Sequence, residues 1–355
     1  MRFDVVLGNP PYQKNDGGVR DDGSANASAT AIYPNYVESA EKTSEIQSLI
    51  IPARWLSGAG KGLSAFSKHM VQSKNFQIFE YYLDSKDVFP NNDIKGGVCY
   101  FVKNHNHNGE AKVIIHEKGR SVDSLRFLDE NGIGVFIPYA ELSKILLKVQ
   151  AVVGDIPSKS IQTIVSPRNP YGLATDFFKN PSKYDLPDIM PNREKANDIE
   201  IFGLLNGMRT SRFVSDDYPI TKGLDLVNKY KVFLSYAYGT GSLGEPTAKP
   251  VVGIPHTICT ETFLNIGVFN AEIEAVNLVR YIKTKFFRVM VGILKTTQHA
   301  TTTFKYVPLQ DFTENSDIDW SKSIPEIDIQ LYMKYGLNEE EIEFIETHAK
   351  EMIII

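Results

Sequence analysis

The chain has 355 residues, 42% hydrophobic and 23% charged, an ordinary globular composition with room for two domains. No apolar run approaches the roughly 20 residues of a membrane span, no signal-peptide pattern precedes Phe3, and the two cysteines, Cys99 and Cys259, lie too far apart to frame a zinc site or a disulfide scaffold, so a reducing cytoplasm is expected. The net charge is −5 but uneven: from Asp311 onward 12 acidic residues face 3 basic ones, which leaves the remainder at +4 and compatible with nucleic acid.

The apolar run Val5 to Leu7 reads as a strand buried on both faces, broken by Gly8. Asn9-Pro10-Pro11-Tyr12 follows as a rigid turn at the strand's carboxyl end, the edge where open α/β sheets bind ligands. Asn and Pro favour turns on their own account. The set also suits methylation of an exocyclic amine, whose lone pair is delocalised into its ring. The Asn9 side-chain oxygen and the Pro10 carbonyl can accept both amine hydrogens, and this localises the lone pair for attack on a methyl donor. Two prolines fix φ and remove both backbone donors, and Tyr12 offers a face on which a flipped base can stack.

The decamer Phe3-Asp4-Val5-Val6-Leu7-Gly8-Asn9-Pro10-Pro11-Tyr12 resembles motif IV of the amino-methyltransferases, and in this form the N6-adenine DNA methyltransferases. The resemblance implies S-adenosylmethionine as cofactor. It implies Asn9, Pro10, Pro11 and Tyr12 as catalytic positions, and Asp4, Asn9 and Pro11 as part of a cofactor site.

Gln13 to Ala29, rich in Gly, Asn, Asp and Ser, reads as a long loop, either a lid that orders on DNA or simple disorder. A helix is expected near Thr30 to Lys42 with Ile32, Tyr36, Val37 and Ala40 on one face, then a buried strand Ile46 to Ile51 ending in Pro52-Ala53-Arg54-Trp55. Gly58-Ala59-Gly60-Lys61-Gly62 lacks the spacing of a phosphate loop and reads as a turn into a helix from Leu63 to Gln72. Lys61 is a candidate contact to a DNA phosphate, against the alternative of a solvated lysine. Gln77 to Leu83 reads as a strand. Asp84-Ser85-Lys86-Asp87-Val88-Phe89-Pro90 and Lys95-Gly96-Gly97-Val98-Cys99-Tyr100-Phe101 resemble later motifs of the same methylases. That resemblance implies Phe101 as the aromatic against the flipped adenine opposite Tyr12, with core packing as the alternative. Asn104 to Gly109 carries two histidines, yet Asn108-Gly109 between apolar runs is a hairpin signal. Tyr139 to Val149 is an amphipathic helix.

From about residue 151 prolines punctuate short apolar pieces, and a separate loop-rich α/β domain is expected. Its basic turns hold Arg168, Arg209 and Arg212. Lys231 to Tyr238 and Thr260 to Val268 read as strands. Gly239-Thr240-Gly241-Ser242-Leu243-Gly244 is a literal GxGxxG, but Glu245-Pro246 follows it instead of a helix, so it reads as a recognition or surface loop. Glu272 to Lys295 is helical with a break near Lys283-Thr284. Lys295, with Gln298 in the following Thr-rich run, forms a candidate DNA contact, against a solvated helix end. The acidic close from Val307 resembles the end of the same methylase group.

The expected fold class is α/β: a partial Rossmann-like methyltransferase sheet over 1–150, then a loop-rich α/β target-recognition domain over 151–355. A Gly-rich cofactor turn is found neither upstream nor downstream of Asn9. The order of motifs therefore resembles the second part of a γ-class adenine methylase of a restriction-modification system, acting on double-stranded DNA and completed by an N-terminal half or partner subunit. The alternatives are a non-catalytic DNA-specificity module, or methylation of an RNA base or a protein glutamine amide by the same turn.

Overall fold

The computed structural model describes residues 3–15, 29–58, 62–295, 300 and 302–352. They divide into two units, Met1–Ser143 and Lys144–Ile355, with the division inside a helix. The boundary expected from the sequence, 150/151, falls in the same helix, Ala140–Val153, seven residues later.

Unit 1 runs β1 (Phe3–Gly8), β2 (Gln13–Asn15), β3 (Ala29–Ala31), α1 (Tyr33–Thr43), β4 (Ser44–Pro52), α2 (Ser64–Gln72), β5 (Phe76–Tyr82), β6 (Val98–Asn104), β7 (Ala111–Glu117), β8 (Arg120–Arg126) and the start of α3 (Ala140–Val153). Six of the strands form one sheet in the order β1-β4-β6-β5-β7-β8. β1 and β4 are parallel, while β6 is antiparallel to both β4 and β5. Residues of one sheet face, among them Leu49, Ile51, Phe79 and Cys99, share a core with Val37 and Ala40 of α1 and Phe66 and Met70 of α2.

Several expectations are corrected here. β1 is not buried on both faces: it has a single neighbour, β4, and Phe3, Val5 and Leu7 are exposed at 49%, 47% and 73%. Val6, on the other face, packs against the core. Asn108-Gly109 does not turn a hairpin, because β5 lies between β6 and β7 and bonds to both. The connection instead crosses the end of β5, where Asn75 Nδ2 donates to the His107 carbonyl (2.7 Å) and the Gly109 amide donates to the Lys74 carbonyl (3.1 Å). In α1 the buried residues are Tyr33, Pro34, Val37 and Ala40, and Tyr36 faces outward. The ends of the expected long loop are strands, with Gln13 to Asn15 paired to Ala29 to Ala31; its residues 16–28 lie outside those described.

Unit 2 continues with β9 (Ile199–Leu205), β10 (Met208–Val214), α4 (Leu224–Val227), β11 (Tyr230–Ser235), β12 (Val251–Gly253), β13 (Thr257–Cys259), β14 (Phe263–Phe269), α5 (Glu272–Lys283), α6 (Lys285–Val291), α7 (Ile324–Lys334) and α8 (Glu339–His348). Two three-stranded sheets, β10-β9-β13 and β12-β11-β14, contribute to one core with Tyr171, Phe177, Ile201 and Phe233. The helical stretch breaks at Thr284, whose extended backbone ends α5 and whose hydroxyl caps α6 by accepting from the Phe287 amide (3.1 Å).

The GxGxxG loop binds a carboxylate of its own chain. The Thr240 and Gly241 amides donate to the Glu245 carboxylate (2.7 and 3.0 Å), and Lys295 pairs with the same group. Gly239 has φ +64, and a Cβ there would run into that carboxylate. The cradle that backbone N–H groups can offer a phosphate is thus already filled.

Lys231 is fully buried on β11 and donates to the Leu226 and Val227 carbonyls, both at 3.0 Å. Burial lowers its ammonium from the ordinary 10.5 to about 7. Between those values the folded chain holds fewer protons at this group than the unfolded chain. The contribution to stability is full above the unfolded value and is lost as the pH falls through the folded one. Lys231→Met removes this dependence, so its thermal midpoint should shift less between about pH 9.5 and about pH 7 than that of the native chain. Equal shifts would show that the buried amine is not the source.

Candidate active site

Strand direction gathers three chain segments at one edge of the unit 1 sheet. β1 and β4 run parallel, and β5, antiparallel to β6, runs the same way. All three carboxyl ends therefore meet at that edge. β1 delivers Asn9-Pro10-Pro11-Tyr12. β4 delivers Pro52 and the short 3-10 segment Ala53–Ser57. β5 delivers the connection to β6, with Phe89 and Asn92 to Lys95. A cavity of about 1100 Å³ opens among them, lined by Asn9 to Tyr12 from the turn, Tyr33 from α1, Arg54, Phe89 and residues 92–95.

The walls are held by hydrogen bonds away from the cavity. The Ile32 amide donates to the Tyr12 carbonyl (3.1 Å), which ties the turn to the start of α1. Ser85 organises the β5–β6 connection: its hydroxyl donates to the Asn92 carbonyl (3.1 Å) and accepts from the Ile94 amide (2.8 Å). Tyr81 donates to the Gly96 carbonyl (3.0 Å), and the Ala53 amide donates to the Gly97 carbonyl (3.0 Å). Gly97 has φ +77, and a Cβ there would strike the Tyr82 carbonyl.

Within the cavity the exposed Asn9 side chain stands beside a half-buried Tyr12. Burial raises the Tyr12 phenol, Cys99 adds to the rise, and the Asn9 side chain counters it. The phenol is neutral at ordinary pH, so its ring presents an uncharged stacking face. Tyr33 lies almost fully buried, and its hydroxyl has no hydrogen-bond partner among the described residues. An amide oxygen, a carbonyl without neighbouring N–H groups and aromatic faces can together hold a planar amine-bearing ring.

The sequence-derived site is brought together in part. Asn9, Pro10, Pro11 and Tyr12 converge on the cavity. Phe101 does not. It is fully buried in β6, alternates inward with Cys99 and Lys103, and meets Phe76 edge-on at 5.5 Å. The aromatic that reaches the cavity is Phe89, twelve residues earlier. The signal for it was position: a connection after a strand's carboxyl end opens to solvent, while a residue inside a central strand faces a packed layer. Asp4 does not reach the cavity either. It lies on exposed β1 some five residues back from Asn9, roughly 16 Å along an extended strand, and does not line the cavity.

The basic candidates scatter. Arg168 pairs with Glu261 (3.3 Å) and lies over Tyr236, while Arg209 donates to the Lys249 carbonyl (2.8 Å) and lies over Phe263. Both lie near the end of β11 where Ser235 pairs with Phe263. Arg212 lies three residues beyond Arg209 on the same strand, hence on the opposite face. Lys295 is corrected outright: it is buried, donates to the Tyr238 carbonyl (3.0 Å) and neutralises Glu245. Lys61 and Gln298 lie outside the described residues. Among the described residues no cluster suits a metal ion and no helix is long and apolar enough to cross a membrane.

The lining fits the acceptor ring and the methyl-bearing end of S-adenosylmethionine. A glycine-rich turn, which lets backbone approach the rest of that cofactor, is not among the lining residues.

Part of the chain is similar to known proteins. Residues 1–89 match the family described as Eco57I restriction-modification methylase. An uncharacterized adenine-specific methylase of Mycoplasma pneumoniae is 34% identical over 126 residues, which is 35% of this chain and 29% of that relative. The type IIG restriction endonuclease BpuSI is similar at 13% identity, TM-score 0.35, over 97% of this chain and 53% of its own. The type IIL restriction-modification enzyme MmeI, solved in complex with DNA, is similar at 10% identity, TM-score 0.48, over 97% and 56%. The chain thus spans under a third of that curated relative and just over half of these two solved chains. Residues 1–89, which include the Asn9-Pro10-Pro11-Tyr12 turn, are similar to the Eco57I restriction-modification methylase family, and the fold is mixed α/β.

The two phenylalanines should separate in solution. Phe101→Ala removes a fully buried ring and should cost unit 1 about 3–5 kcal/mol in chemical denaturation. Phe89→Ala, on the cavity wall, should cost under about 1 kcal/mol. Similar losses for both would contradict the assignment of Phe89 to the cavity.

Proposed function

We propose that the chain carries the acceptor-base half of an S-adenosylmethionine-dependent adenine-N6 DNA methyltransferase of a restriction-modification system. The observation that carries this reading is the convergence of Asn9, Pro10 and Tyr12 with Phe89 on one cavity at the carboxyl edge of the sheet. The Eco57I methylase match over residues 1–89 supports it.

In this reading an adenine leaves the duplex and enters the cavity. Tyr12 stacks on the ring, and Phe89 is the second aromatic contact in place of Phe101. The Asn9 side-chain oxygen accepts one N6 hydrogen and the Pro10 carbonyl accepts the other. These acceptors turn the nitrogen lone pair away from the ring π-system, which makes it nucleophilic without prior deprotonation. S-adenosylmethionine, when bound, supplies a methyl group activated by a sulfonium. After transfer the excess proton leaves the nitrogen through the same acceptors. Unit 2, with Arg168 and Arg209 at one corner, is proposed as the target-recognition domain over residues 151–355.

A partner segment belongs to this proposal. β1 bonds to β4 on one side only, and Phe3, Val5 and Leu7 form an uncovered apolar row. A cofactor-binding segment that adds a strand to this edge would cover the row and bring the glycine-rich turn beside Asn9. A DNA-specificity module without transfer of its own is the second reading, favoured by the same open edge.

The test is transfer of labelled methyl from S-adenosylmethionine to duplex DNA by the whole gene product that contains this chain. N6-methyladenine is the expected product. Asn9→Ala should lower transfer by about 10²–10³ or more while duplex affinity is kept. An Asn9→Ala variant that retains full transfer would sink the mechanism. Labelling of protein glutamine with none in DNA would favour the amide substrate, and DNA binding without transfer would favour the specificity module.

A further inference from the structure

Among the described residues two cations at the cavity have no ion-pair or side-chain hydrogen-bond partner. Arg54 and Lys95 both line it, and both are exposed. They come from different segments that are locked together. The Ala53 amide donates to the Gly97 carbonyl (3.0 Å), and a Cβ on Gly96 would lie 3.3 Å from Arg54 Cα. Ser85 and Tyr81 fix the Lys95 loop from behind, as described above. The backbone that carries the two charges is thus preorganised, while the charged heads remain open to solvent. Asp93 on the same loop contributes one negative charge, so the group is net positive.

We infer that Arg54 and Lys95 form an oxyanion clamp at the cavity mouth, whose ligand is the phosphodiester beside the extruded nucleotide. This rests on the proposed function. A base taken out of a duplex stays joined to the strand on both sides, so a phosphate must follow it to the mouth of whatever cavity receives the ring. A carboxylate, such as that of an amino-acid-bearing cofactor, shares the chemistry. The phosphate is favoured because the cations stand in the open, where a backbone passes. The clamp positions the strand and reads no sequence.

The experiment measures binding of the whole gene product that contains this chain to a fluorescent duplex bearing one mismatched adenine, across salt from about 50 to about 200 mM. Arg54→Gln with Lys95→Gln should make the slope of log affinity against log salt shallower by about 2, equally on unrelated sequences. Arg54→Lys alone should keep the native slope. Cofactor affinity, titrated on the same proteins, should not change. An unchanged slope in the double variant overturns the clamp and leaves the methylation reading standing. Loss of cofactor affinity with an unchanged slope overturns it in favour of the carboxylate. Failure of the native gene product to bind duplex at low salt overturns the clamp and the DNA reading together.

Discussion

The parallel pairing of β1 with β4 is the constraint from which the site follows. Its register, Phe3 with Ser44 through Gly8 with Leu49, lets both chains leave the sheet at the same edge. β6 then enters antiparallel beside β4, and β5 beside β6 regains the first direction. Three carboxyl ends are thereby focused on one cavity although their residues, from Asn9 to Lys95, lie up to 86 positions apart in sequence. A simple β5–β6–β7 meander would have turned Asn108-Gly109 into a hairpin. Placing β5 between its two successors spends both of its edges and leaves its carboxyl-end loop free to line the cavity.

The same sheet shows how far burial is decided by neighbours. Val5 and Leu7 are as apolar as Leu49 and Ile51, yet the first two are open to solvent and the last two are buried. β4 has a strand on each side and helices over one face, whereas β1 has one strand neighbour. Hydrophobicity sets what a residue can contribute when covered, and topology decides whether cover exists.

In unit 2 three cations, Lys231, Arg288 and Lys295, are turned inward. Arg288 donates to the Gly244 carbonyl (2.7 Å), Lys295 neutralises Glu245, and Lys231 holds the carbonyls at the end of α4. Arg288 joins α6 to the Gly244 loop, and Lys231 joins β11 to α4. A basic run in sequence therefore overstates the basic surface, because a lysine with carbonyl and carboxylate partners can be buried where a lone one cannot. The glycine-rich loop follows the same logic: its amides face an anion, and that anion is the chain's own Glu245.

Local chemistry was legible in the sequence by itself. The turn Asn9-Pro10-Pro11-Tyr12 announced its acceptors because two prolines and an asparagine dictate backbone shape and hydrogen-bonding capacity without help from distant residues. The break at Thr284 and the failure of GxGxxG as a nucleotide fingerprint were readable for the same reason. The tertiary structure alone decided which aromatic reaches the cavity, which lysine is buried and which strand stands at the edge. Phe89 and Phe101 have identical side chains, and Lys95 and Lys295 likewise. What separates them is strand order and burial, and these depend on pairings between residues far apart in sequence, which no local pattern encodes.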